Sequence, residues 1–361
     1  YKAMNAWESC GEPEKAQEIL DFICEQCEAE EGDISPNDVS FSICIHCWCK
    51  SSRDDAAERA EQLLRRKEVF AKKLGFAIKS TDYNACISKW KDDPVKGPKR
   101  ATLLFEEMLQ RYGDSSEKRT KPSDGTLNAL LDVFAKSNQR NWAEKAENYL
   151  YRMNQFHKEG GGCIRPDVIS YRTAIDAWIR AWDKESPKKV DALVRDMIDK
   201  CKDEERSDLC PDSNLLNLVL KACQTAPAMW KESDSSEKGN DHPIAIANNI
   251  FYMLKANKFG AKATHATYAF LFLTYRQHMD FHDKRYSPLM EKLWRQCIRD
   301  GLVSEFSLSA FRDSVLEHEF WKAIGGKDKF GKKAEKISVK DFPKEWNRNV
   351  TPDPKKKLKQ Q

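Results

Sequence analysis

Apolar residues recur along this chain at helical spacing, in blocks that are themselves repeated. Between Asp167 and Trp182, the residues Tyr171, Ala174, Ile175 and Trp178 stand at i, i+3, i+4 and i+7, one stripe of a 3.6-residue period. Pro166-Asp167 precedes them. Proline fixes its own φ, and Asp167 or Ser170 can cap the first free amides, so a helix, here called A, is predicted to start at this point. A second block runs from Pro187 through Val190, Leu193 and Val194 to Met197 with the same spacing, and Pro187 suits a first turn that needs no amide donor. This is helix B. Neither helix is long enough to be stable alone, so A must pack on B and on the next A.

The pair repeats. The aromatic end of helix A falls at Trp7, Trp48, Trp90, Phe134 and Trp178, and more weakly at Cys223 and Tyr275. Helix B opens at Ala16, Ala60, Ala101, Ala146, Val190, Ala247 and Met290, so both marks recur every 41 to 57 residues. Self-similarity at such a period predicts an all-α solenoid of about seven stacked antiparallel hairpins. The small residue that opens most B blocks lies one turn before the bulky pair, where two helices can approach closely. Residues 112–123 and 226–243 are polar and turn-rich, and Gly160 to Gly162 is a hinge-like connector. The expected organisation is a repeat array over 1–320, its first repeat truncated, followed by a basic C-terminal tail over 321–361. Having no periodicity, that tail is read as disordered or as an arm that docks elsewhere.

Charge sharpens this picture. Residues 322–361 carry thirteen Lys and Arg against five Asp and Glu, which leaves 48 basic and 52 acidic side chains in 1–321. A slightly acidic array needs a locally basic face to hold nucleic acid, since phosphate neutralisation supplies much of that affinity. No apolar run approaches eighteen residues, so no membrane partner is expected. The twelve cysteines are irregularly spaced in a long helical chain, which favours reduced thiols. The chain opens at Tyr1, part-way through a repeat, so its first residues carry no information on targeting.

A unit that runs from an aromatic-Asn/Ser/Arg helix start, through Ala-x-x-Leu-Phe-x-x-Met, to Ile/Val-x-Pro-Asp resembles the pentatricopeptide repeat. The likeness reaches to about residue 304 and is best over 124–167 and 168–212. The Trp-rich helix A and the long connectors depart from the compact form. The Trp-x-x-Leu-Gly-x-x-Tyr helix of the tetratricopeptide repeat is absent.

The resemblance implies a right-handed superhelical solenoid that reads single-stranded RNA at one base per repeat. It further implies a role in RNA processing, stability or translation in a mitochondrion or plastid. Base contacts are implied at the residue after the helix A aromatic and at the last residue of the same repeat. The first set is Tyr1, Ser42, Asn84, Asn128, Arg172, Asn217 and Ala269; the second is Asn37, Lys79, Ser123, Asp167, Asp212, Thr264 and Ser304. An Asn amide offers one acceptor and two donors, which suits a Watson–Crick edge. Asn128 with Asp167 has the family's uracil-preferring combination, and Asn84 with Ser123 looks pyrimidine-preferring. Asn217 with Thr264 is less readable. Arg172 with Asp212, Ser42 with Lys79 and Ala269 with Ser304 depart from the usual code, and Arg172 is free to contact phosphate or stack on a base. The plain alternative is that Asn, Ser and Asp near a helix start are caps and turn residues.

Candidate chemistry is sparse. Cys24-x-x-Cys27 and Cys44-x-x-Cys47 have zinc-ribbon spacing, but the repeat register already asks for small residues at Cys44 and Cys47, which align with Ala174 and Ala177. No metal or cofactor is expected. His278 and His282, at i and i+4, have no third ligand in view and are read as exposed polar residues. With no Gly-rich phosphate loop, HExxH or Asp-rich cluster, the chain is expected to be a binder and not an enzyme. The rival reading is a protein-binding solenoid, docked on a ribosome or another assembly. Protein partners are also open to the array or the basic tail.

Overall fold

A computed structural model of the chain describes residues 2–29, 34–113, 118–158, 164–203, 206–228, 241–330 and 337–351. Tyr1, the Gly160 to Gly162 connector, the middles of both polar loops and the tail from 352 lie outside the described residues. Among the described residues every regular element is helical and there is no strand. Contacts divide the chain into two units, Tyr1–Ala181 and Trp182–Gln361.

The first unit holds α1 (Lys2–Cys10), α2 (Pro13–Glu28), α3 (Asp38–Lys50), α4 (Ala56–Leu74), α5 (Ser80–Lys89), α6 (Gly97–Gly113), α7 (Asp124–Lys136), α8 (Arg140–Lys158) and α9 (Val168–Ala181). Odd-numbered helices are the predicted A helices and even-numbered ones the B helices. Each A helix touches the next A helix and the B helices on either side, which is how successive hairpins stack. The second unit holds α10 (Ser186–Asp203), α11 (Ser213–Thr225), α12 (Pro243–Lys255), α13 (His265–His278) and α14 (Tyr286–Arg299). It continues into a further short hairpin, α15 (Glu305–Asp313) and α16 (Glu317–Ile324). There α11, α13 and α15 stack as the A helices do in the first unit.

The residue opening every B block is at most 1% exposed, from Ala16 to Met290. The aromatic marks are also buried, apart from Trp7 on α1. Burying an indole or phenol obliges its polar atom to find a partner. The repeat supplies one at a fixed place, the residue directly after the small one in the preceding B helix. Trp48 Nε1 donates to Gln17 (2.8 Å), Trp90 Nε1 to Glu61 (2.9 Å), Trp178 Nε1 to Glu147 (3.1 Å), and the Tyr275 hydroxyl to Asn248 (2.6 Å). The exceptions follow the same logic. Phe134 has no donor, and the matching Thr102 turns its hydroxyl to the Pro98 carbonyl; at the Cys223 register the matching Asp191 binds Arg195.

One expectation needs correction. Cys201, in the last turns of α10, is joined by a disulfide to Cys210, just ahead of the α11 cap, so not all thiols are free. The short connection from a B helix to the next A helix brings these two side chains together, which irregular spacing conceals. After Trp321, residues 337–351 take the second of the two forms anticipated for this region, an arm that docks. Residues 337–351 lie along α14 and the turn that follows it: Val303 N donates to Trp346 O (2.8 Å) and Asn349 N to Gly301 O (2.9 Å). Trp346 stacks on Phe342 and meets Trp294 edge-on, with ring centres 4.9 and 6.2 Å apart. Gly301 has φ +66°, and a Cβ there would lie 2.6 Å from Arg348 Cγ, so this close approach requires glycine.

Candidate nucleic-acid interface

All seven residues of the second predicted set stand immediately before an A helix, at its N-cap. They are Asn37, Lys79, Ser123, Asp167, Asp212, Thr264 and Ser304. Asn37, Ser123, Asp167, Asp212 and Ser304 accept the amide three residues on, as in the bond from Ser170 N to Asp167 Oδ1 (2.8 Å). Asn37, Ser123, Asp167, Thr264 and Ser304 are followed three residues later by Ser40, Thr126, Ser170, Thr267 and Ser307, whose hydroxyls accept the cap residue's own amide. Asn37, Ser123, Asp167, Asp212 and Ser304 therefore act as caps, and that fixes where their side chains point, whereas the Lys79 side chain makes no cap bond.

Two asparagines of the first set reach across to the next cap. Asn128 Nδ2 donates to Asp167 Oδ1 and Oδ2 (3.3 and 3.4 Å), and the Ser170 hydroxyl donates to Asn128 Oδ1 (2.6 Å). In the second unit Asn217 Nδ2 donates to Thr264 Oγ1 (3.0 Å), and the Thr267 hydroxyl donates to Asn217 Oδ1 (2.8 Å). The same triad of asparagine, cap and hydroxyl thus forms in both units between residues 39 to 50 apart in sequence. Each amide keeps a second N–H and a second lone pair. Asn128 and Asp167 are half-buried, so that capacity is open to solvent, whereas Asn217 is only 6% exposed. Asn84 is half-buried with its Oδ1 unpartnered among the described residues, and Ser123 is exposed.

The other registers are built differently. Arg172 is exposed, Asp212 caps α11, and the residue three after that cap is Leu215, which has no hydroxyl to offer. Ala269 is fully buried in the core. Ser42 and Lys79 do not meet. Instead the ammonium of Lys67, fully buried on α4, donates to Ser42 Oγ (2.9 Å), Asp38 Oδ1 (2.5 Å) and Asp82 Oδ2 (2.6 Å), while Lys79 pairs with Asp38. Burial would raise the Asp38 carboxyl, but its bonds to Lys67 and Lys79 hold it below the usual value. Sequence reasoning missed this cluster, although two marks were present. Lys67 occupies the final Met place of the B motif, held elsewhere by Met108, Met153 and Met197. Asp82 occupies the place held by Ser or Thr in five other A helices.

The cysteine motif behaves as buried core. The Cys44 thiol donates to Ala16 O (3.2 Å), and burial pushes the Cys24 thiol up to about 11 and the Cys44 thiol higher still. Among the described residues no three His, Cys, Asp or Glu side chains are grouped to hold a metal ion. His278 is not the exposed residue expected. It is fully buried, its Nε2 donates to Cys223 O (2.6 Å), and burial lowers its pKa to about 4. Because the folded value lies below the ordinary 6.5, the unfolded chain binds the extra proton first as pH falls. This contribution to stability is full above pH 6.5 and is lost between pH 6.5 and 4, on the order of 3 kcal/mol in total. Urea unfolding across that range should show the loss, and His278→Gln should flatten it; an unchanged slope counts against a buried neutral imidazole.

Comparison with known proteins adds little to this geometry. No family model matches the chain, and no curated protein matches it. Among solved structures, it is similar to the pentatricopeptide repeat protein PPR10 in complex with an 18-nt psaJ RNA element, and to a triple cysteine-to-serine variant of that protein with the same element. In both cases the match has 15% identity and a TM-score of 0.36, over 85% of this chain and 44% of the other. The chain thus spans less than half the length of these structural neighbours. What carries the helical-hairpin fold is the repeat itself and the packing described above.

Proposed function

We propose that the chain binds single-stranded RNA with sequence selectivity, reading one base per repeat, and so serves the processing, stability or translation of a transcript in a mitochondrion or plastid. The carrying observation is the triad of Asn128, Asp167 and Ser170, repeated at Asn217. A half-buried amide is held in one orientation by the next repeat and retains one donor and one acceptor for a base edge. Prepaid orientation of this kind lowers the cost of recognition. In this reading Asn128 with Asp167 and Asn84 with Ser123 are the main readers, Arg172 serves the phosphate backbone, and the chain acts without catalysis.

A second reading, a protein-binding solenoid, is favoured by the Lys67 cluster and by buried Ala269, which between them close two registers to a base. Fluorescence anisotropy with a labelled random-sequence RNA pool separates the two. The RNA reading expects saturable binding that is weaker or less selective in Asn128→Ala. Absence of RNA binding, together with capture of a defined protein partner, favours the rival.

A further inference from the structure

At the end of the second unit, a cavity of about 660 Å³ opens between the last turns of α12 and α14, the start of α13 and the docked segment 337–351. Its wall carries four cationic side chains, Lys255, Lys262, Arg299 and Arg348, against one carboxylate, Asp300. Asp300 is already matched by Lys255 at 2.6 Å. Lys262, Arg299 and Arg348 form no ion pair among the described residues. Lys262, Arg299 and Arg348 are exposed, and together they set three unpaired positive charges around one cavity, a field that favours an anion there.

The segment 337–351 builds this wall. Arg348 lends two of its five N–H donors to backbone carbonyls, of Arg299 (2.7 Å) and Glu345 (3.3 Å), and keeps the rest. Asn349 Nδ2 binds the Asp300 carbonyl (2.8 Å). These bonds satisfy the free carbonyls at the end of α14, whose dipole would otherwise oppose an anion. The half-unit charge of a helix terminus is then small beside three full cations. Thr264, the partner of Asn217, belongs to the same wall, so the cations sit beside the last asparagine register.

We propose that this cavity is a phosphate site that takes a backbone phosphate of single-stranded nucleic acid, and that segment 337–351 is the arm that completes it. The proposal rests on the RNA-binding reading. It gives the C-terminal basic region a positioning role at the interface.

The test uses the full chain, Lys262→Ala, Arg299→Ala and the pair combined. These substitutions leave the backbone bonds of the docked arm in place, and circular dichroism verifies the fold. Two probes are read: a labelled random-sequence single-stranded RNA pool over a series of salt concentrations, and inorganic phosphate by the shift of the thermal midpoint. Loss of one phosphate contact should lower the slope of log K against log salt by about 0.7. The double variant should bind RNA more weakly by a similar factor for all sequences and lose protection by phosphate. A double variant with the parental slope overturns the site while leaving the RNA reading intact. Phosphate protection without any change in RNA slope assigns the pocket to free phosphate and overturns the nucleic-acid assignment. No RNA binding by the parent chain overturns both, and is distinguished by the absence of any slope to compare.

Discussion

Lys67→Met is expected to destabilise the first unit by about 3–5 kcal/mol, the cost of leaving a buried carboxylate without its counter-charge. The ammonium of Lys67 touches Asp38, Ser42 and Asp82, and both Lys67 and Asp82 are fully buried. Asp82 gains nothing else close enough to replace it, since His46 Nε2 is 3.9 Å from its other oxygen. Methionine is the residue the B motif carries at this place, as at Met108 and Met153, so volume and packing are nearly kept. What is lost is charge. Combining Lys67→Met with Asp82→Ser restores the ordinary repeat at both places, and this double variant should return to within about 1 kcal/mol of the parent or exceed it, because apolar replacements of buried pairs are often neutral or stabilising. Chemical unfolding of the four proteins in the cycle gives the coupling directly. Equal, additive losses from the two substitutions would remove the basis for treating Lys67 and Asp82 as one unit.

The second large effect is expected at Trp178. Trp178→Ala removes a fully buried indole from between hairpins and should cost about 3–5 kcal/mol. Trp178→Phe keeps most of the ring but gives up the bond to Glu147, which is itself buried, and should cost about 1–3 kcal/mol. The chain contains its own version of the relaxed pair, Phe134 with Thr102. Trp178→Phe together with Glu147→Thr should therefore cost less than the sum of the single changes, by about 0.5–2 kcal/mol. Thermal or urea unfolding decides this; strict additivity would mean that the recurring indole bonds are incidental to the burial of the rings.

Much of this architecture can be read from the chain because its contacts repeat. The A and B stripes, the caps Asn37, Ser123, Asp167 and Ser304, and the buried residues that open each B helix all follow from local spacing and from physics that acts within one or two turns. The link from Asn128 to Asp167 is also legible, since a fixed register brings residues one repeat apart to one place. Single departures are harder. Lys67 and Asp82 are each unremarkable as charged residues, and only their joint displacement of Met and Ser from the motif signals a buried pair. His278 reads as an exposed helical histidine because nothing local announces that the Cys223 carbonyl lies beside it. The docking of 337–351 is a non-periodic, long-range fit around Gly301 and Trp346, and a pattern search has no register with which to find it. The engagement of Ser42 by Lys67 and the burial of Ala269 likewise depend on neighbours that the repeat pattern does not announce.

Base readout by the asparagines that link successive repeats is decided by selection of bound sequences from a random single-stranded RNA pool, carried out with the parent chain and with Asn128→Ala. The parent should enrich one motif, and the variant the same motif with preference relaxed at a single position, worth about 1–3 kcal/mol of discrimination. No enriched motif, or an identical motif at every position in Asn128→Ala, would rule out base readout by Asn128.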